Sequence, residues 1–274
     1  MWEKMANIDR RVIYALMILV IALALLNPIG LSIIPSDATI DAYDYIEAMP
    51  NGSTVWFGME FSSGGIPELM PAAQAIIRQG FKKDFKFVAC GMWAQAGDMA
   101  DMAFNFVATE FPEKEYGVDW VNIGYKPGGE ELLPALINDV SDAAKGQDHY
   151  QNKLSSLPLM SQFKSLKDAD LLIIFCTGTP GEQQYIKHVT GPHNMPLIES
   201  CISVSVPGIM PFVQSGQIKA LIAGMKGAAE YEVLVEHPST AMAGMDAQSF
   251  SHGLILVFMI IGNIGYFATR NKKG

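Results

Sequence analysis

The chain of 274 residues carries 19 Lys and Arg against 28 Asp and Glu, a formal charge of −9, and half of its residues are hydrophobic. That acidity excludes a nucleic-acid footprint, which needs clustered cations against phosphate, and argues against adsorption to anionic lipid heads. The length suits one large α/β domain, and three cysteines without a CxxC pair exclude a disulfide framework.

Six of the basic residues, Lys4, Arg10, Arg11, Arg270, Lys272 and Lys273, flank two apolar ends, whereas 26 of the 28 acidic residues lie between them. The first apolar end, Val12 to Ile34, holds no charged side chain and is long enough for a membrane-spanning helix. It reads as retained rather than cleaved, because Asn27, Pro28 and Gly30 are followed by further apolar residues and not by a small-x-small site. Basic outer flanks beside inner flanks without Lys or Arg predict cytoplasmic termini, residues 1–11 and 270–274, and an extracytoplasmic domain over residues 35–238.

Helical spacing of apolar residues over Ile40 to Met49 predicts a short amphipathic helix, stopped by Pro50, Asn51 and Gly52. Thr54 to Phe61 (TVWFGMEF) reads as the first strand. Ser62, Ser63, Gly64 and Gly65 then turn the chain into a helix opened by Pro67 and running to about Gln79. The same syntax repeats. Strand Phe85 to Cys90 precedes helix Trp93 to Phe111, and strand Val118 to Tyr125 leads through Pro127, Gly128 and Gly129 into a helix ending near Ala144. Polar residues Lys145 to Asn152 break the rhythm before a short helix within Ser156 to Leu166. Strand Ala169 to Cys176 is followed by a turn over Thr177 to Glu182 and a helix to Val189. Strand Pro196 to Val204, helix Pro207 to Val213, strand Ile218 to Ala223 and a helix from Gly227 to Val235 complete the domain.

Nearly continuous apolar strands separated by helices imply a parallel sheet covered on both faces. The longer polar connection divides six strands into two groups of three, which predicts an α/β, Rossmann-like doubly wound sheet of order 3-2-1-4-5-6, with a flavodoxin-like order as the alternative. The closing segment, Leu254 to Ala268, reaches spanning length when its helix extends back toward Ala241. Gly262, Asn263 and Gly265 on it suit close helix packing, against the first span or a neighbouring chain.

At the point where such a sheet reverses its order, the loops Ser62 to Glu68 and Thr177 to Glu182 face a common crevice, which makes Ser62, Ser63, Gly64, Gly65, Thr177, Gly178 and Thr179 the candidate ligand-binding residues. Neither loop is GxGxxG or GxxxxGK[ST], and Glu68 and Glu182 in the following first turns repel phosphate. Plain tight turns are the simpler reading, and no cofactor is expected. Cys90 and Cys176, at the ends of FKFVAC and LLIIFC, are the weak nucleophile candidates, against a reading of all three thiols, Cys201 included, as small buried apolar groups; a Cys176 to Cys201 bridge is a remoter alternative. No GxSxG elbow occurs. His149, His188, His193, His237 and His252 are scattered, and the HVTGPHN pair lacks an acidic or Cys ligand between its histidines, so no metal site is read. Glu130 and Glu131 fit a helix N-terminus better than an acid/base pair.

Five segments carry a resemblance: DRR before the first apolar run, YDYIEAMPNGS, PELMPAAQAIIRQ, YGVDWVNIGYKPGGE and SGQIKALIAGMKGAAEYE. Together they resemble a family of bacterial and archaeal membrane proteins with a span, α/β domain, span layout. The resemblance implies that layout and carries over no reaction or ligand. Within it, Lys226 to Glu232 is a candidate packing contact or partner surface, or else a capped amphipathic helix. The resulting expectation is a non-enzymatic, membrane-anchored subunit of a homo-oligomer or multi-protein assembly. Its partners are membrane lipid and other subunits, and nucleic acid is not among them. The alternatives are an extracytoplasmic small-molecule-binding or sensing domain coupled to two spans, and a cysteine-dependent hydrolase or transferase.

Overall fold

Apolar strands alternating with helices assemble into one six-stranded, all-parallel sheet of order β3-β2-β1-β4-β5-β6 in the computed structural model, which describes residues 9–270. The strands are β1 (Thr54–Glu60), β2 (Lys86–Gly91), β3 (Trp120–Tyr125), β4 (Leu171–Cys176), β5 (Leu197–Cys201) and β6 (Ala220–Ala223). The polar connection between β3 and β4 is where the chain returns to the centre of the sheet, so that β4 pairs with β1 from Val55↔Leu171 to Glu60↔Cys176. This is the Rossmann-like order expected of a doubly wound domain.

The helices are α1 (Arg10–Leu26), α2 (Asp37–Ala48), α3 (Ile66–Lys82), α4 (Ala96–Ala108), α5 (Leu132–Asn138), α6 (Val140–Ala143), α7 (Pro158–Gln162), α8 (Glu182–Tyr185), α9 (Gly191–His193), α10 (Val206–Gln214), α11 (Gly224–Leu234) and α12 (Thr240–Arg270). A π-helical turn, Ile186–Thr190, joins α8 to α9, so the run after β4 outlasts the predicted helix end at Val189. Between β3 and β4 the single helix expected to Ala144 is broken, because the Asp139 carboxylate accepts from the Asp142 amide at 2.8 Å and starts a new turn.

Strand residues of alternate parity build two cores. On one face Phe57, Phe87 and Phe175 meet Phe81 of α3 and Phe104 of α4, with Phe57 and Phe87 edge to face at 5.0 Å. On the other, Trp56, Ile174 and Leu197 pack with Leu133, Leu136, Tyr185 and Ile209 from the opposite helices. The KGAAEYE stretch lies in α11, which packs against α2 and α3. Its residues Gly227 to Glu232 are buried, the Glu230 carboxylate accepting from Ser36 and Thr39 and the Tyr231 hydroxyl bonding Gln79, so the stretch is internal packing rather than an exposed surface.

The chain divides into two compact units, Ile33–His237 and the two ends, residues up to Ser32 with those from Pro238 on. In the second unit α1 and α12 pack on each other. α12 is one 31-residue helix, and its stretch Thr240–Phe267 is long and apolar enough to cross a membrane with almost none of it buried. The N-terminal expectation needs correction. α1 spans 17 residues and stops at Leu26, short of the predicted end at Ile34. Pro28 disfavours helix at Asn27, and the amides of Ile29, Gly30 and Leu31 are taken by the Asp246 carboxylate at 2.8, 2.8 and 2.9 Å. At about 1.5 Å per residue α1 alone falls short of the hydrocarbon thickness. Of the expected packing residues on α12, Gly265 is buried while Gly262 and Asn263 are exposed. Apart from residues 9–11 and 270, the expected cytoplasmic tails lie outside the described residues.

Candidate functional site

Two glutamates stand inside the sheet on otherwise apolar strands. Glu60 ends β1 and Glu199 lies in β5; both are fully buried. The Glu60 carboxylate accepts from the Tyr185 hydroxyl at 2.9 Å and from the Met92 amide at 2.8 Å, and Tyr185 in turn accepts from Trp56 Nε1 at 3.1 Å. Burial raises the Glu60 pKa to about 7, against the two hydrogen bonds that favour its charged form. Trp93 Nε1 donates to the Pro180 carbonyl at 2.9 Å.

The two loops singled out by sequence come side by side. A Cβ on Gly65 would lie 2.7 Å from Thr177 Cγ2, so glycine there permits the approach. Ser63 and Gly64 are exposed, and the Ser63 amide donates to Gln95 Oε1 at 2.9 Å. Beyond them Glu68, in the first turn of α3, accepts from both the amide and hydroxyl of Ser203, at 2.8 and 2.6 Å. A cavity of about 270 Å³ opens on the side of the second loop, over β4 and β5, rather than between the two loops. Its walls include Cys176, Gly178, Thr179, Glu182 and Glu199, and Val204, Ser205 and Gly208 around the start of α10.

Within this cavity Glu199 has no partner: neither carboxylate oxygen is hydrogen-bonded to any described residue. Burial, and then the nearby charge of Glu182, raise its pKa well above the usual carboxylate range. The Cys176 thiol donates to the Gly178 carbonyl at 2.9 Å and lies 3.8 Å from Glu182 Oε2. The backbone shape depends on Gly181, where a Cβ would collide with the Cys176 sulfur and come within 2.5 Å of the Gly178 oxygen. Cys176, Glu182 and Glu199 each present one atom within 4.8 Å of the other two, and among the described residues no other group of three Cys, His, Asp or Glu side chains is gathered this way.

The histidine pair is not gathered. His188 sits in the π turn, 3.7 Å from Glu130, and His193 is exposed at the end of α9. Cys90 is buried, and burial followed by the Glu60 charge pushes its thiol up to about 12, which leaves little thiolate at neutral pH. All three thiols are free; Cys176 and Cys201 are register neighbours on β4 and β5 and are not bridged. Sequence reasoning passed over Glu60 and Glu199. The available signal was a carboxylate within or ending an otherwise apolar strand, in TVWFGMEF and PLIESCISV, where a parallel sheet buries both faces.

Neither protein-family models, nor curated proteins, nor solved structures give a match to this chain.

Proposed function

We propose that the α/β unit binds a small cationic ligand in the cavity over the carboxyl ends of β4 and β5, and that α12 tethers it to a membrane. One observation carries the reading: Glu199 keeps a carboxylate fully buried, without a protein hydrogen bond, facing a cavity that also holds Glu182. An unpartnered buried polar group costs about 1–3 kcal/mol, so a fold that retains one at a cavity wall is better accounted for by a ligand that completes it. Glu182 on the wall, with no Lys or Arg among the lining residues, selects against anions, which agrees with the absence of a phosphate-loop lysine from the sequence. With α12 as the span, the basic residues that follow it, Arg270, Lys272 and Lys273, favour a cytoplasmic C-terminus and an extracytoplasmic α/β unit, the arrangement of an external binding or sensing domain.

The test is a thermal-shift panel of divalent cations and small amines on the full chain in mild detergent. Gly208 borders the cavity, and a side chain there starts in open space. Gly208→Trp should therefore leave the unliganded melting temperature in place and abolish any ligand-induced rise. A panel without a single rise, or a rise that survives Gly208→Trp, counts against the reading.

A second reading, a structural subunit of a membrane assembly, is favoured by the surface of α12. A Cβ on Gly262 would meet nothing, and Asn263 beside it is exposed within an apolar segment. Another chain packed there would satisfy both. Cross-linking of Gly262→Cys in native membranes separates a lateral partner, which gives a cross-linked species, from lipid, which gives none.

A further inference from the structure

We infer that Cys176, Glu182 and Glu199 form a binding site for a single borderline divalent metal ion of the Zn²⁺ or Co²⁺ type. The inference rests on the cavity reading above and names its ligand. The donors come from three separate places, the end of β4, the first turn of α8 and the interior of β5, and still converge to within 4.8 Å. The 3.8 Å between Cys176 Sγ and Glu182 Oε2 is already close to the edge of a tetrahedral site, whose bonds are about 2.3 Å to sulfur and about 2.0–2.2 Å to oxygen, so binding needs only small side-chain rotations. Glu199 is the second, independent observation beside the cluster itself. It is fully buried, both of its oxygens lack a protein partner, and it faces the same cavity as the other two donors.

The donor set selects the ion. Two carboxylates and one sulfur are too few and too soft for Ca²⁺, which takes six to eight oxygens, and Mg²⁺ gains nothing from a thiolate. Three protein ligands leave a fourth position for water or a substrate, in a cavity whose walls also include Thr179 and Ser205. Gly181 is part of the design, since any side chain there would displace the sulfur. Binding exchanges protons for metal: the Cys176 thiol proton, and any proton held by the two carboxyls, pass to solvent as the ion enters, with no change of oxidation state.

The experiment uses the untagged full chain in mild detergent, stripped with chelator and titrated with Co²⁺. One equivalent should give the near-ultraviolet thiolate-to-Co²⁺ charge-transfer band together with the visible bands of a tetrahedral ion, and Zn²⁺ should displace it. Cys176→Ser should remove the charge-transfer band, Glu199→Gln should weaken Co²⁺ binding by at least the roughly 100-fold that loss of an outer-shell partner can cost, and Cys90→Ser should leave both unchanged. Far-ultraviolet circular dichroism shows whether each variant is folded; the wild-type titration decides even where a variant is not. The proposal is overturned if folded wild-type protein shows no band at saturating Co²⁺, or if the band survives Cys176→Ser. If Co²⁺ fails while a small amine still gives a thermal shift that Gly208→Trp removes, the metal assignment falls and the cavity reading stands. If both fail, both readings fall.

Discussion

Glu60 and Glu199 occupy equivalent surroundings, each fully buried on an apolar parallel strand, yet the fold treats them in opposite ways. Glu60 is held by Tyr185 and Met92, with Trp56 behind Tyr185, and so forms a closed network in the middle of the sheet. Glu199, two strands away, has Cys176 and Glu182 for company and no donor from the described protein. The difference separates a polar group that stabilises the fold from one held ready for something outside it. Satisfied buried networks specify structure, and unsatisfied ones call for a role.

The largest effect that could break this comparison is pH dependence at Glu60. Its carboxyl titrates near 7 in the folded chain and near 4.5 when unfolded, so the protonated form favours folding. Stability from this group is therefore fully present below about pH 4.5 and is lost as pH rises through about 7, by about 3 kcal/mol. Denaturant melts of wild type and Glu60→Gln between pH 4.5 and 8 should diverge by that amount, with wild type losing ground toward neutral pH. Parallel curves would mean that Glu60 is no more costly to ionise in the fold than in the free chain.

Removing a partner should come next. Tyr185→Phe keeps the ring but strands Glu60 Oε1 and Trp56 Nε1 in the core. A loss of about 2 kcal/mol in chemical denaturation is expected. No loss would show that the network is not worth its hydrogen bonds.

The smallest effect, and the one of opposite sign, belongs to Glu199. Because it has no protein partner to lose, Glu199→Met should stabilise the chelator-treated protein by about 1 kcal/mol while abolishing Co²⁺ binding. Destabilisation in the absence of metal would place Glu199 with Glu60 as a structural residue and remove the contrast.

Much of the fold is legible in the amino-acid sequence. β4 announces itself as LLIIFC, and the long polar connection before it marks the return to the sheet centre, because buried parallel strands have no polar face to show. The end of α1 was less legible: Pro28 was visible, but the apolar residues after it continued the pattern while the backbone left the helix. Their amides are satisfied instead by Asp246, more than 210 residues away, which no local window contains. The π turn after β4 is also beyond periodicity, since its five residues keep an apolar spacing compatible with an ordinary helix.

The same distinction governs the site. The loops at Ser62 and Thr177 could be placed near each other from strand order alone, because the reversal of a doubly wound sheet puts the ends of β1 and β4 side by side. Which neighbouring space stays open could not. Tyr185 comes 125 residues after Glu60 in the chain and supplies its hydroxyl there, while no described side chain does so for Glu199. The apolar periodicity of the amino-acid sequence determined the layers, the strand order and the apolar C-terminal helix, since burial follows from side-chain type. Only the tertiary structure decided which buried carboxylate is satisfied and which faces a cavity, because hydrogen bonds depend on atomic positions contributed by distant segments.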